Sequence, residues 1–247
     1  MPSTNQIKPQ TCRWHPFNTS IELEVSAVAA IQRLAGQAIV ERGVFLIVLS
    51  GGTTPRRIYE ALRNIKTEWN SWHIYFGDER CLPVDDPERN NHMATLAWLN
   101  HVDIPMSQIH PIPAEKGASV ASAEYAQAVN KIALFDLVLL GLGEDGHTAS
   151  LFPGHELGDS PGAPATIAVF DAPKPPPQRV SLSAQRLSDA RNVMFLITGN
   201  NKAQAVDNWR SQIAIPASAI KPENGVDIYI EQLLSNQGNI QAHDNKL

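Results

Sequence analysis

Two short apolar runs limit what this chain can fold into. Val44-Phe45-Leu46-Ile47-Val48-Leu49 is uninterrupted, and Phe135-Asp136-Leu137-Val138-Leu139-Leu140 is broken only by Asp136. Strand side chains alternate between faces, so a run without polar alternation reads as a strand covered on both faces, which belongs to a parallel sheet. Parallel strands need crossovers, usually helices. The residues before the first run supply one. Thr19 followed by Glu22 has the form of a capping box, and Leu23, Val28, Ile31, Leu34, Ala35, Ala38 and Ile39 recur at helical spacing up to Arg42-Gly43.

The alternation continues along the chain. The pattern predicts helices over 55–64, 90–99, 119–132 and 200–209, and strands over 73–76, 108–112, 166–170, 179–182, 193–198 and 226–230. The Ala-Pro-Lys-Pro-Pro-Pro stretch between Asp171 and Gln178 can continue neither element; it reads as an extended surface loop, too short for a linker. There is no internal repeat and no shift in composition. The expectation is therefore one α/β domain over 1–247, doubly wound, with a mostly parallel, Rossmann-like sheet flanked by helices. About 1–15 and 238–247 are expected to be loosely ordered. In such sheets ligands sit outside the carboxyl ends of the strands.

Composition excludes several function classes. At 247 residues and 43% apolar the chain can bury a sizeable core. A net charge of −5 leaves no generally basic surface, so neither nucleic acid nor an anionic membrane is expected as partner. The first eleven residues are polar without an apolar core, and no later segment approaches 18 uninterrupted apolar residues, so a soluble, unexported, cytoplasmic protein is expected. Cys12 and Cys81 lie far apart without ligand spacing, which indicates neither a disulfide framework nor a metal site and fits a reducing compartment.

Three strand ends combine glycine with polar or charged residues. Ser50-Gly51-Gly52-Thr53-Thr54-Pro55 lets backbone N–H groups approach a ligand, with Thr54 suited to the N-cap and Pro55 to the first helical position, as a phosphate site requires. An ordinary strand-to-helix turn has the same form. It is neither a Walker loop nor a nucleophile elbow. Gly77-Asp78-Glu79-Arg80-Cys81 places three charges directly after an apolar stretch, either as a solvated turn or as a cleft wall. Arg80 suits an anionic group or a developing oxyanion. Gly141-Leu142-Gly143-Glu144-Asp145-Gly146 formally matches a dinucleotide fingerprint, but Pro153-Gly154 cuts off the long helix that fingerprint needs. The alternative is that the glycines hold His147 at the sheet's edge with Asp145 two residues before it, an arrangement for a general base near neutral pH. Arg179 at a strand start and Lys202 at a helix start are further cations able to reach a phosphate over the strand ends.

Taken together these segments resemble the 6-phosphogluconolactonase family. The resemblance rests on Ser-Gly-Gly-Thr-Thr-Pro at 50–55, Gly-Asp-Glu-Arg at 77–80, Asn90-Asn91, Gly-Leu-Gly-Glu-Asp-Gly-His-Thr-Ala-Ser-Leu-Phe-Pro-Gly at 141–154, Arg179-Val-Ser-Leu, and Thr198-Gly-Asn-Asn-Lys202. The first motif and Asp-Gly-His are shared with the glucosamine-6-phosphate isomerase/deaminases and mark only the superfamily. His155-Glu156 and the 172–178 segment lie outside these motifs. The resemblance implies hydrolysis of a phosphosugar δ-lactone in the oxidative pentose phosphate pathway, without a metal or organic cofactor, by a monomer or weak homo-oligomer. It implies His147 as the base that activates water, Arg80 beside the substrate, and Arg179, Lys202 and the Ser50-Gly51-Gly52-Thr53 turn around the phosphate. Asp145 is expected to orient the imidazole and Asp78 to order substrate hydroxyls.

Two rivals make different demands. An isomerase/deaminase carries a run ending in Asn-Glu-Pro-Gly after Asp-Gly-His, whereas Ser150-Leu151-Phe152-Pro153-Gly154 has no carboxylate, and Arg80 stands where the deaminases have an aromatic residue. A non-catalytic sugar-phosphate sensor needs a DNA-binding module, and the residues before the first helix are too few for one.

Overall fold

A computed structural model describes residues 10–232, and its first element lies where loosely ordered chain was expected. Strand β1 (Cys12–Phe17) pairs in parallel with the last strand, from Cys12 opposite Val226 to Phe17 opposite Glu231. Arg13 grips Asp227 with Nε and Nη2 at 2.8 and 2.7 Å, and Trp14 meets Trp209 edge-on at 5.7 Å. The order of this segment comes from partners some 200 residues away, so local periodicity carried no sign of it. The 238–247 end lies outside the described residues.

Helix α1 (Ser20–Arg42) starts as expected: the Thr19 hydroxyl accepts from the Glu22 N–H at 3.1 Å, and Gly43 ends it in the left-handed conformation. The Glu22 carboxylate accepts from Asn18 rather than from the N-cap itself. Composition and length alone would let α1 span a bilayer, but Leu23, Ala27, Ile31, Ala35 and Ala38 are buried against the sheet. Then come β2 (Phe45–Leu49), α2 (Thr53–Leu62), β3 (Trp72–Phe76), β4 (Asp78–Arg80), α3 (Asn90–Ala97) and α4 (Ala118–Val129). The second half holds β5 (Leu137–Leu140), β6 (Thr166–Val169), β7 (Arg179–Leu182), α5 (Ala184–Ser188), β8 (Val193–Ile197), α6 (Ala203–Arg210) and β9 (Val226–Glu231).

Six strands form the expected parallel sheet in the order β1-β9-β8-β5-β2-β3. Its central strands β2, β5 and β8 are almost wholly buried, which is why their sequences do not alternate. Helices α1 and α2 pack on each other and on the sheet, while α4 lies against β6 and β7. The chain runs outward from β2 to β3 and then returns to β5 on the other side of β2. The carboxyl ends of β2 and β5 therefore flank a topological switch point, the usual place for a ligand in an open sheet.

Three features depart from the sequence reading. Residues 78–80 are not a solvated turn but a strand with Glu79 fully buried, in a second, antiparallel sheet ordered β4-β7-β6, which leaves the cleft-wall reading. The strand expected over 108–112 is a single bridge between Ile74 and Ile109, because Pro105, Pro111 and Pro113 lack the N–H groups a longer ladder needs. Helix α2 begins two residues early with Gly52 at its N-cap, and Thr54, expected there, instead bonds the Thr198 hydroxyl at 2.7 Å.

The sheet's centre carries the stability of the frame. Replacing Leu139, fully buried on β5, by alanine leaves a cavity between close-packed neighbours and is expected to cost about 2–5 kcal/mol. Urea unfolding of Leu139→Ala beside the wild type measures it, with an unchanged m-value showing that the transition itself is the same.

Candidate active site

Two glycines let a side chain close in on the backbone at the switch point, one from α3 and one from the glycine's own turn. A Cβ at Gly51 would sit 2.0 Å from the Asn90 Oδ1, and one at Gly143 would sit 1.9 Å from the His147 Nδ1. Neither position tolerates a side chain, so the turns after β2 and β5 approach Asn90 and His147 as closely as backbone allows. Between them opens a cavity of about 200 Å³ lined by Ser50, Gly51, Gly52, Asp78, Arg80, Asn90, Gly141, Leu142, Gly143, His147, Thr148, Ala149 and Arg179. It is small against the ~300–1,000 Å³ of drug-sized sites, which suits one compact polar ligand.

His147 has the geometry of a poised base. Asp145 Oδ1 lies 2.5 Å from the ring Nδ1 and also accepts the His147 backbone N–H at 3.1 Å, so one carboxylate oxygen fixes both the residue and its ring. A carboxylate only accepts, which puts the ring proton on Nδ1 and leaves the Nε2 lone pair free. The Gly143 N–H donates to the His147 carbonyl at 2.7 Å and closes the turn, and Phe152 packs 4.9 Å from the imidazole. Burial pushes the His147 pKa below its ordinary value, against the pull of Asp145, so the ring is neutral near pH 7. Burial also works against the Asp145 carboxylate, but the His147 bonds outweigh it and hold its pKa low.

The opposite wall is rigid. Asp78 accepts from Asn90 Nδ2 at 3.0 Å and from the Ser150 hydroxyl at 2.6 Å, one bond to each oxygen. Glu79 accepts the backbone N–H groups of Arg80, Asn90 and Asn91 at 2.9, 2.8 and 2.9 Å, capping α3 from a different element, while Arg89 lies 3.4 Å away. Burial pushes the Glu79 carboxyl up, and those N–H groups and the guanidinium oppose it. Arg80 donates to the Glu88 carbonyl through Nη1. Its Nε and the Ser50 hydroxyl are buried without a hydrogen-bond partner on the cavity wall. Buried polar groups are normally paired, so two unpaired ones within residues that line one cavity point to a polar ligand there.

The sequence-predicted residues do not all meet there. Ser50, Gly51, Gly52, Asp78, Arg80, His147 and Arg179 line the cavity, and Asp145 backs His147. Thr53 lines the adjoining recess with Gly52, Arg80 and Glu88. Arg179 is largely committed elsewhere: Nε donates to the Pro176 carbonyl and Nη2 to those of Lys174 and Pro175, tying down the proline segment. Lys202 does not line the cavity; it lies in a short turn that Asn201 ties to Glu144 at 2.6 Å, near enough to Asp145 to feel its charge. Burial lowers the Lys202 pKa, and the nearby Lys174 adds to this while Glu144 and Asp145 resist it. Asn90, Leu142, Thr148 and Ala149 also line the wall, and the sequence reading gave none of them a role in the site. Ala149 holds a left-handed φ of 48°, uncommon without glycine, and no sequence signal marks it.

Residues 18–229 match the model of the glucosamine-6-phosphate isomerases/6-phosphogluconolactonase family. A 6-phosphogluconolactonase of Synechocystis is 38% identical over 232 residues, covering 87% of this chain and 93% of the relative. One of Mycobacterium tuberculosis is 38% identical over 211 residues, covering 77% and 85%. The solved 6-phosphogluconolactonase of Trypanosoma brucei superposes with a TM-score of 0.80 at 26% identity, over 92% of this chain and 98% of its own.

A methyl group at position 143 tests the turn. Gly143→Ala is expected to push the imidazole off Asp145 while leaving the sheet intact. In NMR titration the His147 ring of this variant should lose its coupling to Asp145 and titrate at a different pH from the wild type, with an unaltered far-UV spectrum.

Proposed function

The chain belongs to the glucosamine-6-phosphate isomerase/6-phosphogluconolactonase family, and from that premise we propose that it hydrolyses 6-phospho-D-glucono-1,5-lactone to 6-phospho-D-gluconate in the oxidative pentose phosphate pathway. The observation that carries the reading is the neutral His147, its Nδ1 held by Asp145 and its ring lining a cavity whose other lining residues include Ser50 and Arg80, each with a buried polar atom that has no partner. In this reading His147 Nε2 takes a proton from water as the water oxygen attacks the lactone carbonyl. The C–O double bond becomes a tetrahedral oxyanion, with Arg80 and backbone N–H groups as its candidate donors. When the oxyanion collapses, the bond to the ring oxygen breaks and the imidazolium returns its proton to that oxygen. The new carboxylic acid then ionises to solvent. Asp145 stabilises the imidazolium between the two steps and keeps the base in the correct tautomer.

The remaining assignments follow the wall. Ser50, Gly51 and Gly52, with Thr53 and the start of α2, offer N–H and hydroxyl donors to the phosphate, and Lys202 supplies a cation from the rim. Arg179 has most of its donors on the proline segment and offers the ligand only what is left. Asp78, braced by Asn90 and Ser150, keeps spare lone pairs for sugar hydroxyls. A deaminase would need a further acid-base group near His147, and the 150–154 stretch brings none. We assign the activity to the cytoplasm, where Cys12 and Cys81 stay reduced.

Acid release from freshly generated 6-phosphogluconolactone tests the function. The wild type is expected to outpace spontaneous hydrolysis, His147→Ala to lose about 10²–10⁴-fold in rate, and glucosamine 6-phosphate to yield no ammonia. Ammonia from that control, or a wild type no faster than water, contradicts the reading.

A further inference from the structure

Two neighbouring strands that lead into the cleft end in the same way. Where β2 stops, the Tyr59 hydroxyl accepts from the Ser50 N–H at 3.0 Å and donates to the Ser50 carbonyl at 2.9 Å. Where β3 stops, the Tyr125 hydroxyl accepts from the Phe76 N–H at 2.9 Å and donates to the Phe76 carbonyl at 3.0 Å. A hydroxyl is both donor and acceptor. One tyrosine therefore serves both backbone groups of one residue, as a neighbouring strand would. The two clamped residues follow each other across the ladder, since Leu49 pairs with Phe76 and the Gly77 N–H reaches the Leu49 carbonyl at 2.9 Å.

Both tyrosines are buried, at 0% and 2% exposure, and burial pushes their pKa values far up, so the hydroxyls keep their protons. Each comes from a helix, and each clamped residue leads directly into the cleft. Tyr59 on α2 reaches back over nine residues to the strand that precedes its own helix, fixing the angle at which the α2 N-terminus meets Gly51 and Gly52. Tyr125 on α4 holds Phe76, two residues before Asp78. A shift of either strand end moves a cleft wall, and misplacements near 1 Å are enough to cost ~100-fold in rate.

We propose that Tyr59 and Tyr125 are positioning residues, which lock the carboxyl ends of β2 and β3 so that the 50–52 turn and the 78–80 strand stand at the spacing the substrate requires. The choice of kinetic substrate rests on the lactonase reading; the clamp itself does not. Neither tyrosine touches the cavity, so each acts through the peptide group it holds.

The test removes only the hydroxyls. In Tyr59→Phe the ring still stacks on Trp98, while the Ser50 N–H and carbonyl lose their partner. KM for 6-phosphogluconolactone is expected to rise about tenfold with kcat less affected, with the acid limb of the pH profile in place because His147 is untouched. Hydrogen exchange at the Ser50 amide should speed up about tenfold or more, while amides of β5 keep wild-type protection. Tyr125→Phe should do the same at the Phe76 amide and lower kcat/KM. A lower melting temperature with unchanged KM, kcat and local exchange overturns the proposal. So does a wild type whose Ser50 amide exchanges at the rate of open chain, a result that needs no variant to fold. If the wild type fails to turn over the lactone, the substrate assignment falls, and the exchange data with inorganic phosphate as probe still decide the clamp.

Discussion

The structure depends on how a parallel sheet ends. Within the ladder the inner strands pair with a neighbour on each side, and β2, β5 and β8 are almost wholly buried. At the carboxyl ends the partners run out while burial does not, so each exposed peptide group needs a substitute or a ligand. The chain uses tyrosine hydroxyls at Ser50 and Phe76, a carboxylate at the N-terminus of α3, and glycine turns at 51 and 143. Among the buried side-chain atoms left without a partner, the Ser50 hydroxyl and the Arg80 Nε belong to residues that line the cavity. The site is the part of this boundary that the protein does not satisfy by itself.

The same boundary sets the electrostatics. His147 is buried enough for its charged form to be disfavoured, yet tied to a carboxylate that would favour it, and burial is the larger effect. The ring is thus neutral at rest and can still accept a proton beside Asp145 during a reaction. Cations ring the cleft, with Arg80 and Arg179 on the wall and Lys174 and Lys202 close by. Net charge −5 therefore does not exclude local cations for a phosphorylated substrate, although Asp78 and Asp145 stand among them.

Much of this was legible in the sequence. The apolar runs fixed the parallel sheet because burial on both faces removes alternation, and the glycine turns pointed to His147, Asp145 and the 50–53 segment because only those residues allow such approach. Strand β1 and helix α5 were not legible, the first because its partners are distant, the second because five residues hold too little periodicity. The 78–80 segment was weighed as a solvated turn or a cleft wall because charge in sequence says nothing about capping at a distance, and Glu79 is buried by serving α3. Arg179 was legible as a cation and not as an anchor, since its partners are carbonyls that any sequence would supply. Tyr59 and Tyr125 gave no signal, as a helical tyrosine looks the same whether its hydroxyl is in solvent or on a strand end.

The central claim is that a neutral, half-buried His147 acts as base on a phosphosugar lactone, and the pH dependence of kcat/KM for 6-phosphogluconolactone tests it most directly. The active form is the deprotonated ring, so the rate should rise with pH to a plateau through a single step below the ordinary histidine value of about 6.5. That step should vanish with the residual activity of His147→Ala. A rate that merely follows spontaneous hydrolysis, or an acid limb that persists without His147, would contradict the account.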